Sequence, residues 1–276
     1  MRNRAFSLIE LSVVILIIGI LLAGVTQSSR LIVQFRLKTA QTLTQSSPVA
    51  SIRDLVMWFE ASSTASIAEA ETGGGLAVST WYDINPQSVT KYNVTASGTK
   101  RPLYSENIIN GAPALKFDGI NDSLILSPEY TLNIAQTSIV VFKPATATEN
   151  GMLLSTTSNN FGNYQTIRYQ GNIPSISTWN GVNYSPAITA SANAQIIVFV
   201  QNGTAAQFFS NGTALTAGTV INDAYKFGQI GELDVDDQNP FEGYIAEIMI
   251  FDRALKAEER KAIEAYLGKK YGIAVS

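Results

Sequence analysis

The sequence predicts a mainly β protein, an antiparallel β-sandwich or jelly roll behind one long N-terminal α-helix, with a short helix near the C-terminus. Three observations predict it. The chain opens on about twenty nearly unbroken apolar residues, Phe6 to Val25, and then turns amphipathic with no breaker before Ser47-Pro48. Beyond Pro48 come short runs rich in β-branched and aromatic residues, punctuated by Asn-Gly pairs. Asn-Gly is the strongest short signal for a tight hairpin, because both central residues of a type I′ turn need positive φ. Near the end, a charged helix-favouring run is followed by glycine.

The N-terminal element comes first. At about 1.5 Å of rise per residue, Phe6 to Val25 covers roughly 30 Å, enough to span the apolar core of a bilayer. Arg2 and Arg4 precede it, and one carboxylate, Glu10, sits just inside it. An acidic side chain at mid-membrane costs about 2.5–3.5 kcal/mol on insertion scales, so a carboxylate there points to function. Two other readings stand beside this one. A cleaved secretory signal would end near Leu22-Ala23-Gly24, although Glu10 lies where such signals are apolar. A plain anchor has no use for Glu10.

From Thr26 to Ser46, Ile32, Phe35, Thr39 or Ala40 and Leu43 recur at helical spacing opposite Arg36, Lys38 and Gln41. This pattern predicts a face laid against a globular head. No proline precedes Pro48, so one helix is expected to continue through Gly19 and Gly24, roughly 60 Å from Phe6 to Ser46. The two glycines suit either local melting in an assembly or close helix packing.

In the head, Ile139–Phe142, Gln195–Val200, Ala206–Phe209 and Tyr244–Phe251 read as strands. The Asn-Gly pairs at 110–111, 180–181, 202–203 and 211–212 read as turns. The run Leu255–Leu267 reads as a helix stopped by Gly268 or Gly272, with Leu255, Ala262 or Ile263, Tyr266 and Leu267 against the sheet. The boundaries that follow are a leader at 1–5, an assembly helix at 6–47, a linker at 48–54 and the head at 55–276.

Composition narrows the chemistry. The 276 residues are 46% hydrophobic and 15% charged, ample for one sizeable core besides the helix. Cysteine is absent, which removes disulfides and thiolate chemistry. Histidine is absent too, which removes the commonest general base and zinc ligand and argues against an enzyme. Residues 1–53 hold about +5, leaving about −8 for the rest of a chain whose total is −3. An acidic head argues against nucleic acid as a partner.

The segment Ala5-Phe6-Ser7-Leu8-Ile9-Glu10 resembles the processing signal of type IV prepilins and pseudopilins. The family usually has Gly where this chain has Ala5. The resemblance implies that a prepilin peptidase cuts between Ala5 and Phe6, that the new Phe6 amine is N-methylated, and that the helix polymerises with other pilin subunits. It also implies an inner-membrane precursor and then an extracellular or periplasmic filament. An ammonium buried among apolar helices needs an anion, and Glu10 of a neighbouring subunit or of the same helix can supply it.

A second resemblance is longer. Leu55–Ser62, Trp81–Asp83, Arg101–Tyr104, Asn110–Asp122, Phe241–Leu255 and Lys270–Ile273 are similar to the laminin-G-like branch of the concanavalin A-like jelly rolls. It implies fold better than function, because such domains serve as lectins, adhesins, glucanases and spacers. Glucanases of that fold carry E-x-D-x-x-E along a strand. Here Glu232 and Asp234 fit, but Asp236 replaces an apolar residue and Asp237 replaces the final Glu, so no catalytic residue is assigned.

Asp234, Asp236, Asp237 and Asn239 are oxygen donors of the kind Ca²⁺ takes, without the EF-hand spacing; a solvated loop is the competing reading. Otherwise no cofactor is expected. Trp179 and Tyr184 could stack on a sugar ring or close a hairpin, while Trp58 and Trp81 read as core. The Asn-x-Ser/Thr triplets at Asn93, Asn202 and Asn211 are accounted for by turn chemistry. The reading that follows is a type IV pilin-like subunit with an adhesive or interacting head. A type II secretion pseudopilin and a membrane-tethered carbohydrate-binding module for surface glycans are the alternatives.

Overall fold

The computed structural model describes residues 8–157, 165–170, 173–178, 183–233 and 239–276. Helix α1 runs unbroken from Leu8 to Gln45, 38 residues, or about 57 Å. It passes through Gly19 and Gly24 without interruption, as the absence of proline predicts. Pro48–Ser51 then forms one 3₁₀ turn.

Strands follow in sequence: β1 (Leu55–Glu60), β2 (Thr80–Trp81), β3 (Val94–Thr95), β4 (Leu103–Ile109), β5 (Ala112–Asp118) and β6 (Leu124–Thr131). The middle of the chain gives β7 (Gln136–Pro144), β8 (Asn150–Ser155), β9 (Gln165–Gln170), β10 (Ile173–Thr178), β11 (Asn183–Tyr184) and β12 (Gln195–Asn202). The last are β13 (Ala205–Ser210), β14 (Thr213–Ala214), β15 (Gly218–Thr219), β16 (Lys226–Ile230) and β17 (Glu242–Phe251), before helix α2 (Ala257–Tyr271).

Two antiparallel sheets face each other. One has the order β14-β13-β12-β7-β17-β5-β4, with β1 also on β17 and β15 on β13; the other has the order β11-β10-β9-β8-β16-β6-β3-β2. Their facing sides enclose Trp81, Phe117, Phe142, Phe199, Phe208 and Phe241, all without exposed surface. A second apolar layer lies on the outer face of the first sheet. There Trp58, Ile139, Val141, Ile196, Val198 and Met249 meet Ala40 of α1 and Ile263, Tyr266 and Leu267 of α2. The strands of this sheet are therefore apolar on both faces, which is why they read as continuous runs and not as alternations.

The turns follow local chemistry. Asn110-Gly111 (φ 51° and 87°) joins β4 to β5, and Asn211-Gly212 (φ 48° and 85°) joins β13 to β14. The Asn202-Gly203 turn is displaced by one residue: Asn202 pairs with Ala205, so Gly203 (φ 64°) and Thr204 make the bend. Asn180-Gly181 lies outside the described residues. Helix α2 ends at Gly272, left-handed at φ 63°, and runs through Gly268.

Candidate functional site

The first component is α1. Glu10 stands in its first turn. Leu8, Ile9, Leu11 and the aliphatic residues from Val13 to Leu22 leave about half or more of their surface open, on all sides of the helix. Among the described residues no helix is long and apolar enough to cross a membrane.

Among the described residues, the contacts of the head with α1 fall on its C-terminal turns. Ala40 and Thr44 are buried, Leu43 packs on the outer layer, and the Gln41 amide donates to the Ser62 carbonyl at 3.0 Å. Arg36 lies over the β4–β5 turn, where a Cβ at Gly111 would overlap its side chain. Ile32 and Phe35, expected to face the head, are 53% and 70% exposed. They add to the open apolar surface of the stalk instead.

Beneath α1 lies a buried polar group. Glu60 and Glu247 stand directly opposite each other on β1 and β17. Like charges so placed repel, and Lys270 of α2 sits between them, its Nζ 2.7 Å from Glu60 Oε1 and 2.8 Å from Glu247 Oε2. None of the three side chains has exposed surface. A β-bulge between Ile245 and Glu247 turns Glu247 to the helix side, since Ile245 and Ile248 both face the inter-sheet core. Glu247 also accepts from Trp58 Nε1 (2.8 Å), Tyr266 Oη (2.9 Å) and Tyr271 Oη (2.9 Å). The Lys270 ammonium donates to Thr44 Oγ1 of α1 at 2.7 Å, which ties the stalk into the group. Burial pushes the Glu247 carboxyl above the ordinary glutamate range, against the pull of Lys270.

The head carries two further features. The loop Asp118–Asp122 is held by its own carboxylates: Asp118 Oδ1 accepts from the N–H groups of Ile120 and Asn121, and Asp122 Oδ2 from Asp118 N at 2.9 Å. Burial, with the Asp118 charge beside it, pushes Asp122 up to about 7. An open groove of about 1100 Å³ runs between the 187–195 segment and Ile273-Ala274, lined by Asn110, Lys143, Asn193, Asn211 and Thr213.

A family model described as the concanavalin A-like lectin/glucanases superfamily matches residues 117–259, more than half of the chain. The chain belongs to that superfamily. The prokaryotic N-terminal methylation motif matches residues 1–26, so the lectin-like domain is carried by a type IV pilin- or pseudopilin-like precursor. No curated protein matches the chain. Among solved structures, a Trypanosoma rangeli sialidase complex is similar at 11% identity and a TM-score of 0.55, over 88% of this chain and 39% of that one. A botulinum neurotoxin serotype D binding domain is similar at 14% identity and a TM-score of 0.51, over 81% and 53%. The chain thus spans well under two thirds of each of these two structures, and the likeness is one of fold.

On this concanavalin A-like head the predicted residues scatter. Ala5 and Phe6 lie outside the described residues, as do Trp179, Asp234, Asp236 and Asp237. Asn239 is described, and its Oδ1 accepts from the Arg168 guanidinium at 2.9 Å. Among the described residues no group of three acids is placed to hold a metal ion. Tyr184 is buried, its ring stacked on Phe208 at 5.4 Å and its hydroxyl donating to the Thr216 carbonyl. Glu232 lies past the end of β16, buried, with Lys100 Nζ at 3.7 Å, so its acid pattern does not start on a strand. Trp58 and Trp81 are core, as read. The Glu60–Lys270–Glu247 group was missed. Its signal is an acid that closes the apolar run Leu-Val-Met-Trp-Phe-Glu60 and another within the apolar run Tyr-Ile-Ala-Glu247-Ile-Met.

Proposed function

We propose that this chain is a structural subunit of a type IV pilus-like filament, cleaved by a prepilin peptidase after Ala5 and polymerised through α1. Its concanavalin A-like head is displayed on the filament surface for adhesion or interaction. The observation that carries the reading is the methylation motif at 1–26, set on an unbroken helix with Glu10 in its first turn and apolar side chains exposed all round. In this reading the apolar turns lie in the inner membrane before assembly and between helices afterwards, where van der Waals contact and a paired ammonium and Glu10 carboxylate hold neighbours. The head has no catalytic role, and Asp234, Asp236, Asp237 and Asn239 remain the proposed positions for any bound Ca²⁺. A pseudopilin of a type II secretion system is the alternative within the same class.

The test is the intact mass and N-terminal sequence of protein recovered from membranes and from a sheared surface fraction. Chain beginning at a methylated Phe6 in both fractions is expected. Chain that still begins at Met1, or is cut near Ala23, contradicts the proposal.

A second reading, a tethered carbohydrate-binding module, is favoured by the groove of amides and hydroxyls around Lys143. The serotype D neurotoxin domain is known in complex with N-acetylneuraminic acid. A glycan array probed with the intact protein separates the readings: signal that Asn211→Ala removes would favour the module.

A further inference from the structure

One cation and two carboxylates without solvent are an odd set for a structural joint. With all three ionised, the group carries a buried net negative charge, and burying each ion costs several kcal/mol. Its geometry is that of a reaction site. Lys270 Nζ, an amine, touches Glu60 Oε1 at 2.7 Å and Glu247 Oε2 at 2.8 Å. The Ser62 N–H donates to the same Glu60 Oε1 at 2.7 Å, while Glu60 Oε2 is buried and has no hydrogen bond among the described residues. The rings of Tyr266 and Tyr271 stand 5.6 and 5.0 Å from the amine, and Trp58 bonds Glu247 from the sheet side.

We propose that Lys270 and Glu60 condense into an intramolecular amide, with Glu247 carrying the protons. Glu247 takes one proton from the Lys270 ammonium and passes it to Glu60 Oε2, making the acid. The neutral Nζ attacks Glu60 Cδ and the C–N bond forms, while Oε1 gathers charge against the Ser62 N–H. Glu247 then moves a second proton from nitrogen to the departing oxygen, the Cδ–Oε2 bond breaks, and water leaves. Two of the three ammonium protons end in the water and the third stays on the amide. Glu247 begins and ends as a carboxylate, and no oxidant or cofactor enters.

Holding amine and carboxyl in contact supplies the orientation that makes amide formation feasible; effective molarities of about 10⁵ M or more are reached this way. The condensation also replaces a buried ion pair by a neutral amide. Its raised affinity for protons suits Glu247 to the relay. The product joins β1 at the head's entrance to α2, next to the Thr44 contact with the stalk.

The full chain, produced in a host lacking prepilin peptidase and denatured before measurement, is expected about 18 Da, one water, below its sequence mass. Digestion should then release one branched peptide joining the segments that hold Glu60 and Lys270. Lys270→Met and Glu247→Gln should sit at their full sequence masses. Wild-type protein at full mass overturns the proposal without reference to any variant. So does a water loss mapped to Asp118-Gly119. Retention of the loss in Glu247→Gln overturns the assignment of the proton carrier.

Discussion

Asp122 is held almost without exposure and kept above the ordinary carboxylate range, at about 7. A carboxyl raised in the folded state stabilises it fully below the unfolded value, near 4, and loses that contribution as pH rises through about 7. Head stability is therefore expected to fall by up to about 4 kcal/mol between roughly pH 4 and 8. Asp122→Asn should flatten that part of the profile, because the amide oxygen still accepts from Asp118 N. Urea midpoints against pH measure this, and a level wild-type profile would contradict it. At this scale the sequence was uneven. Glu10 stood out because one charge interrupts an apolar run. Glu60, Glu247 and Lys270 did not, since their meeting depends on pairing β1 with β17 and on a bulge that local periodicity does not encode.

Between elements, the seam of stalk and head rests on few contacts, and Gly111 is the tightest of them. Its φ of 87° disfavours a side chain, and its place under Arg36 leaves no room for one. Gly111→Ala is expected to cost about 1–3 kcal/mol and to quicken amide exchange through Ala40–Gln45. Gly75, at φ 82° with open space where a Cβ would stand, is the control: its alanine variant carries the backbone strain alone and should leave that exchange unchanged. Equal exchange in the two variants would remove Arg36 from the seam. Both the helix and the Asn110-Gly111 and Asn211-Gly212 turns were legible, because their causes are local. The face of α1 that docks was not, because Ile32 and Phe35 are as apolar as Leu43 and only the reach of the head distinguishes them.

For the whole molecule, the filament reading predicts a separation of processing from assembly. Glu10→Leu leaves the segment around Ala5 and Phe6 unchanged but strands an ammonium among apolar helices, so cleavage is expected to persist while sheared filament drops roughly tenfold or more. Wild-type yield of filament from that variant would count against the pairing.

The strand that enters the head, β1, finds its partner in β17, with Leu55 against Phe251. The centre of the larger sheet therefore joins residues from the two ends of the head, and loop closure over such a distance is slow as well as late. At about 5–20 residues per second, ribosomal synthesis from one to the other takes on the order of 10–40 s. Over the second half of that interval, once β7 has been made, the apolar edges of β5 and β7 that β17 will separate have no partner between them. The nascent head thus keeps these apolar edges open until β17 emerges, late in its synthesis.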